Sequence, residues 1–216
     1  FYLIRAKARL VQDESTQGII NAEAVFAEQV KSGSKLYMAA GNYGLALAAL
    51  LQKNPEKAKQ YFQEVKKVVG EKAALQSLAL SSLSIEIKLA AGQAAEAVRD
   101  AREAVSRFPS SRALAYQYAN AMYQARQYND VAHYLRQQVR MYKEDAALRQ
   151  QLAKVYDAQG KKALMHIAMA ESYSLDGTYS AALEQLELAR KCKDVTFYDQ
   201  SVIDAYEREW KEIVKE

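Results

Sequence analysis

Apolar and small residues between Leu114 and Val139 recur three and four positions apart, at Leu114, Tyr118, Ala119 and Met122, and again at Tyr128, Val131, Leu135 and Val139. The interruption at 124–129 predicts two amphipathic helices joined by a short turn, and connections of this length make antiparallel neighbours. The arrangement repeats. Gly92-Gln-Ala-Ala-Glu-Ala97, Arg126-Gln-Tyr-Asn-Asp-Val131 and Gly160-Lys-Lys-Ala-Leu-Met165 occupy matching turns at intervals of 34 residues, and Lys53-Asn-Pro-Glu-Lys-Ala58 matches at a spacing of 39.

A helix–turn–helix unit of 34 residues is the tetratricopeptide signature. That repeat needs a small residue where its two helices cross. Leu45-Ala46, Tyr118-Ala119 and Leu152-Ala153 supply large–small pairs in the first helices. Ala58 with Phe62, Ala97 with Ala101, and Val131 with Leu135 stand at the matching places in the second helices. Pro109 falls where a proline ends a second helix. The second unit departs from the pattern, with Ser84-Ile85 in place of the large–small pair. Gly177 follows Gly160 by half a period, so the intervening helix closes one pair and opens the next. The expected fold is all-α, a single domain forming a right-handed tetratricopeptide superhelix, an α-solenoid with divergent terminal capping helices. Its parts are a divergent first pair over 1–33, helix-pair repeats over 34–159, a half-period-shifted pair over 160–191 and a capping helix over 195–216. In the capping helix Val202, Ile203, Tyr206, Trp210 and Ile213 are expected to face inward.

Composition narrows the class further. The 216 residues hold 50% hydrophobic and 26% charged side chains with only 8 Gly and 2 Pro, too apolar for disorder and poor in hairpin material. The longest apolar run, Leu45 to Leu51, falls far short of the roughly 18–20 residues that span a bilayer, so no membrane span is expected. The net charge of +4 is a weak footprint for nucleic acid. Arg126, Arg136, Arg140, Lys143 and Arg149 cluster in sequence, but Asp130, Glu144 and Asp145 dilute them, so they are read as a solvated helix face and no nucleic-acid partner is expected. The chain opens on Phe1 and is expected to be a piece of something longer.

The opening Phe1-Tyr-Leu-Ile-Arg-Ala-Lys-Ala-Arg9 and the closing Ala170-Glu-Ser-Tyr173, Asp176-Gly177, Ala181-Ala-Leu-Glu-Gln-Leu186 and Phe197-Tyr-Asp-Gln-Ser-Val-Ile-Asp-Ala205 carry a more specific likeness. Together with the repeats they resemble the carboxyl-terminal tetratricopeptide region of BepA-like, HtpX-related periplasmic zinc metalloproteases. The resemblance implies a periplasmic location, a role in outer-membrane protein quality control, and repeats that hold substrates or partners near the protease. It also implies the chain's own protease domain as a partner. In that family zinc is bound by His-Glu-x-x-His and a further Glu, and no such motif occurs here. His133 and His166 lie 33 residues apart and neither precedes Glu. Zinc is thus expected only in a protease domain outside this chain, and no cofactor within it.

No nucleophile, paired-carboxylate or phosphate-loop pattern stands out, so the chain is expected to be non-catalytic. Cys192, between Lys191 and Lys193, is read as inert, and Glu86 and Glu171 as a weak candidate pair for hydrolysis. Tetratricopeptide arrays bind along the concave face that first helices line. Counted from the turns, those positions are Tyr43 and Leu47, Ser82 and Glu86, Tyr116, Asn120 and Tyr123, and Gln150, Lys154 and Asp157. Phenol and amide groups there suit an extended peptide, whose main chain they hydrogen-bond while the rings cover apolar side chains. Most tyrosines, such as Tyr118, Tyr156 and Tyr173, stand at helix–helix packing positions and are read as core with a solvated hydroxyl. Protein or extended-peptide clients are the expected partners. A freestanding adaptor for cell-envelope or lipoprotein assembly and a helical toroid enzyme are the alternatives.

Overall fold

In the computed structural model, residues 1–215 are described, and among them the chain forms thirteen helices and no strand. They fall into two compact units, 1–125 and 126–216. The first unit contains α1 (Tyr2–Gln12), α2 (Thr16–Lys31), α3 (Lys35–Leu51), α4 (Pro55–Val69), the short α5 (Glu71–Leu75), α6 (Leu78–Ala90), α7 (Ala94–Arg107) and α8 (Arg112–Gln124). The second contains α9 (Tyr128–Met141), α10 (Ala146–Ala158), α11 (Lys162–Leu175), α12 (Tyr179–Arg190) and α13 (Phe197–Lys215).

Two local signals, repeated at 34-residue intervals, set where helices begin and turn. Ser77, Ser111 and Asp145 cap α6, α8 and α10, each accepting the backbone N–H three residues on, from Leu80, Leu114 and Leu148. Such a cap satisfies a donor the helix cannot pair itself and contributes about 1 kcal/mol. Fifteen residues later the chain reverses through a left-handed residue: Gly92 (φ 73°), Arg126 (φ 59°) and Gly160 (φ 72°), matched upstream by Lys53 (φ 57°) and at the half period by Gly177 (φ 74°). Around these turns Asn54, Gln93, Lys161 and Thr178 donate their N–H to carbonyls five residues back, at 2.8–2.9 Å. This closes the orphan carbonyls at the helix end. The second helices α7, α9, α11 and α12 start straight from that turn without a side-chain cap.

Packing follows the small residues. Ala46, Ala58, Ala97, Val131 and Ala182 are fully buried, Ala119 and Ala153 nearly so. Helices approach closely only where no side chain stands between them. Ile85 takes the small position of the second repeat and is itself fully buried, while Ser84 beside it donates to Asp100 at 3.0 Å. The five extra residues of the 39-residue spacing form α5, which leans on α4 and α6, and Arg107 Nη1 ties the end of α7 to it by donating to the Leu75 carbonyl at 2.9 Å.

In the second unit α11 packs against both α10 and α12, as a helix serving two pairs must. Trp210 and Ile203 of α13 are buried, with Tyr206 stacked on Trp210 at 4.7 Å. Ile213, expected inward, is instead 41% exposed, because the last turn of α13 runs past the pair it covers. Of the three tyrosines read as core only Tyr156 is buried. Tyr118 and Tyr173 are half-exposed, and the Tyr118 phenol accepts from Arg102 Nε at 3.2 Å.

The backbones of α2 and α3 approach closely. A Cβ on Gly41 would stand 2.6 Å from the Phe26 carbonyl oxygen, and one on Gly44 would stand 2.7 Å from the ring of the fully buried Phe26. Gly41→Ala is therefore expected to destabilise by about 1–3 kcal/mol through overpacking against backbone, outweighing the roughly 1 kcal/mol of helix propensity that alanine restores. A urea midpoint at or above wild type would show that the two helices do not meet this closely.

Candidate functional site

The first helices α6 and α8 lie side by side, and a small polar network joins them. Gln117 Nε2 of α8 donates to Glu86 Oε1 and to Ser82 Oγ of α6, both at 2.7 Å, and Ser82 Oγ donates to Glu86 Oε1 at 3.2 Å. The three side chains are half-buried, and the Glu86 carboxylate is engaged by neutral donors. Along α8, Tyr116, Asn120 and Tyr123 share one side, since offsets of three and four return to the same face. Asn120 is exposed and the two rings are half-exposed. This gives a strip of amide, carboxylate and phenol groups on packed helices. Gln117 was missed from the sequence, although it stands one repeat plus one residue beyond Ser82, which is the signal that places it against α6.

Tyr43 and Leu47 do not belong to that strip. They are 3% and 8% exposed, inside the first unit's core with Phe26, Ala46 and Leu83. The cause is α3 itself, buried continuously from Ala39 to Ala49 because α1 and α2 close over the side that a first helix would present. A helix apolar all round is a buried helix. In the second unit Gln150, Lys154 and Asp157 are exposed on α10, and Asp157 pairs with Lys162 across the turn. Glu171 accepts from the Tyr206 phenol at 2.8 Å and faces Arg149 at 3.4 Å. Each of the two glutamates weighed as a hydrolytic pair thus has its own partners within its own unit.

His133 sits exposed beside Gln137, and His166 meets Gln185 Oε1 at 2.8 Å. Among the described residues no group of three or more His, Cys, Asp or Glu could hold a metal ion, and no helix is long and apolar enough to cross a membrane. Burial, followed by the nearby Asp194 charge, pushes the Cys192 thiol up, against the small downward pull of Lys162. A thiol held up in this way is a poor nucleophile. Where the inserted α5 holds α4 off α7, a cleft of about 460 Å³ opens, with Lys59 and Lys66 on one wall and Glu96, Asp100 and Glu103 on the other. Lys88 bridges into it to Asp100 at 2.7 Å.

Comparison with known proteins bears on the fold. No family model and no curated protein matches this chain. Among solved structures the chain is similar to MamA 41-end from Desulfovibrio magneticus RS-1, a tetratricopeptide-like protein, with a TM-score of 0.57 over 85% of this chain and 97% of that one, at 17% identity. The fold is thus an all-α helical repeat of the tetratricopeptide type.

The buried Tyr43 gives a test of these placements. Burial first, and the Glu86 charge second, push its phenol up to about 12, whereas an unfolded tyrosine titrates near 10. Because the folded value is the higher one, this contribution is full below pH 10 and is lost as pH rises towards 12. Tyr43→Phe removes the titration. Relative to its own stability at pH 8, wild type is expected to lose about 1–1.5 kcal/mol more than the variant by pH 11, read by denaturant melts at pH 8, 10 and 11. Parallel pH profiles would mean that the ring is open to solvent.

Proposed function

We propose that this chain is a non-catalytic scaffold that holds extended protein segments on the first-helix face of α6 and α8. What supports this is the strip Ser82, Glu86, Gln117, Tyr116, Asn120 and Tyr123, which gathers amide, carboxylate, hydroxyl and phenol groups on adjacent helices. Amides and carboxylates can pair peptide N–H and C=O groups, and tyrosine rings cover apolar side chains at little entropic cost. The backbone that presents them is fixed by helix packing, so binding does not have to order it first.

The finer proposal is that the scaffold is the repeat portion of a BepA-like periplasmic zinc metalloprotease that works in outer-membrane protein quality control, presenting clients to its own protease domain. What supports this is the closing sequence, from Ala170-Glu-Ser-Tyr173 to the segment around Ile203. The gene upstream of the Phe1 codon tests it. A His-Glu-x-x-His motif there supports the protease parent, and a lipobox would favour the envelope-adaptor alternative instead.

The holding role is tested with reduced, carboxymethylated α-lactalbumin, a permanently unfolded chain, as the client. Tyr116→Ala combined with Tyr123→Ala is expected to weaken its binding about tenfold or more, since truncating a central aromatic anchor typically costs at least 1–2 kcal/mol. The far-ultraviolet circular dichroism should stay unchanged. Arg99→Ala, on the exposed side of α7, should leave affinity intact. Equal affinity of the tyrosine variant and wild type would refute the assignment.

A further inference from the structure

The basic residues that cluster in sequence separate in the second unit. Arg149 turns inward to Glu171, its side chain only 12% exposed. Arg136 and Arg140, one turn apart on α9, stay exposed and line two hollows. One, of about 260 Å³, lies along α9 with His133 and Gln137. The other, of about 310 Å³, opens between α9, α10, α11 and the start of α13, and its lining includes Leu152, Ile167 and Val202. Tyr156, Tyr198 and Tyr206 edge the same cavity, and Tyr198 and its neighbour Phe197 are 76% and 87% exposed.

The carboxylates of this cavity are engaged. Glu171 is held by Tyr206 and Arg149. Asp199, 6% exposed, accepts from the backbone N–H and the hydroxyl of Thr196 at 2.9 and 2.7 Å, which closes the capping box of α13. The arginines are not engaged in the same way. Arg136 reaches the Tyr156 phenol, and no described carboxylate stands within ion-pairing distance of either guanidinium. Two uncompensated guanidinium groups therefore border an apolar hollow rimmed by exposed aromatic rings, the residue mix that concentrates binding energy at interfaces.

We propose that this cavity is a second binding site, independent of the first-helix face, and that it takes an acidic peptide segment with two carboxylates on Arg136 and Arg140 and one large apolar side chain in the hollow. Guanidinium groups are weakly hydrated and match carboxylates in bidentate geometry. Residues one helical turn apart stand about 6 Å from each other, close to the 6–7 Å between alternate side chains on one face of an extended chain. The ligand pattern is therefore acidic, any, acidic, any, apolar. A nucleic acid would supply anions to the arginines, but it would leave the apolar lining unfilled.

The probe is a fluorescein-labelled peptide, Gly-Ser-Asp-Ser-Asp-Ser-Phe-Ser-Gly amide, titrated with the whole chain by anisotropy at about 0.15 M salt. Saturable binding is expected. It should weaken about tenfold or more on Arg140→Ala, more again on Arg136→Ala with Arg140→Ala, and about tenfold when Phe in the peptide becomes Ser. Arg140 makes no hydrogen bond or ion pair with any described residue, so the single variant carries the test even if the double variant loses helical signal. No saturation by about 1 mM, equal binding of a peptide with Lys for both Asp, arginine variants that bind like wild type, or tighter binding of a dodecathymidylate would each overturn the proposal.

Discussion

The exposed faces of this fold depend on helices crossing at positions where one partner has almost no side chain. Within each unit, Ala46, Ala58, Ala97, Ala119 and Ala153 let packed helices come close enough for their large neighbours to interlock. That contact fixes the rotation of each helix about its axis. Once rotation is fixed, the outward side chains follow by periodicity alone, and Tyr116, Asn120 and Tyr123 reach one side of α8 because Leu114, Ala115, Ala119 and Met122 are committed to the other. Function on such a scaffold is thus a by-product of packing register.

The two departures from strict repetition each open a cavity. Five extra residues after α4 make α5, and in the cleft beside it Lys88 pairs with Asp100 of the acidic wall while Lys66 pairs with Glu71 of α5. The half-period shift makes α11 serve two pairs, so α13 closes over a corner that α9, α10 and α11 leave incompletely filled. The first departure pairs Lys66, Lys88 and Arg107 with carboxylates of its own unit, whereas the second leaves Arg136 and Arg140 without ion pairs among the described residues. An uncompensated cation next to apolar surface is more informative about a ligand than the larger cavity is.

Much of this was legible in the sequence because it is local. The 34-residue interval between Gly92, Arg126 and Gly160 marks left-handed turns, and the alanines mark crossings. The caps Ser77, Ser111 and Asp145 keep the same interval, a signal the turn count had not used. What was not legible depends on contacts between segments far apart. Tyr43 stands at a groove position by count, but the divergent α1 and α2 bury it, and only the unbroken apolar character of α3 hinted at that. Gln117 joins the candidate strip through a neighbour 31 residues away, and Arg149 leaves the basic cluster through Glu171, which a linear count cannot see. Tyr118, expected in the core with a solvated hydroxyl, does keep its hydroxyl accessible to Arg102, but its ring is only half-buried.

The central claim is that packing register selects the face of α6 and α8 as the surface that holds protein segments. Site-specific photocrosslinking tests it most directly, with a benzophenone amino acid placed at the exposed Asn120 on α8 or at the exposed Glu103 on α7. With carboxymethylated α-lactalbumin present, the account predicts strong capture from position 120 and little from position 103. Capture from 103 with none from 120 would contradict it.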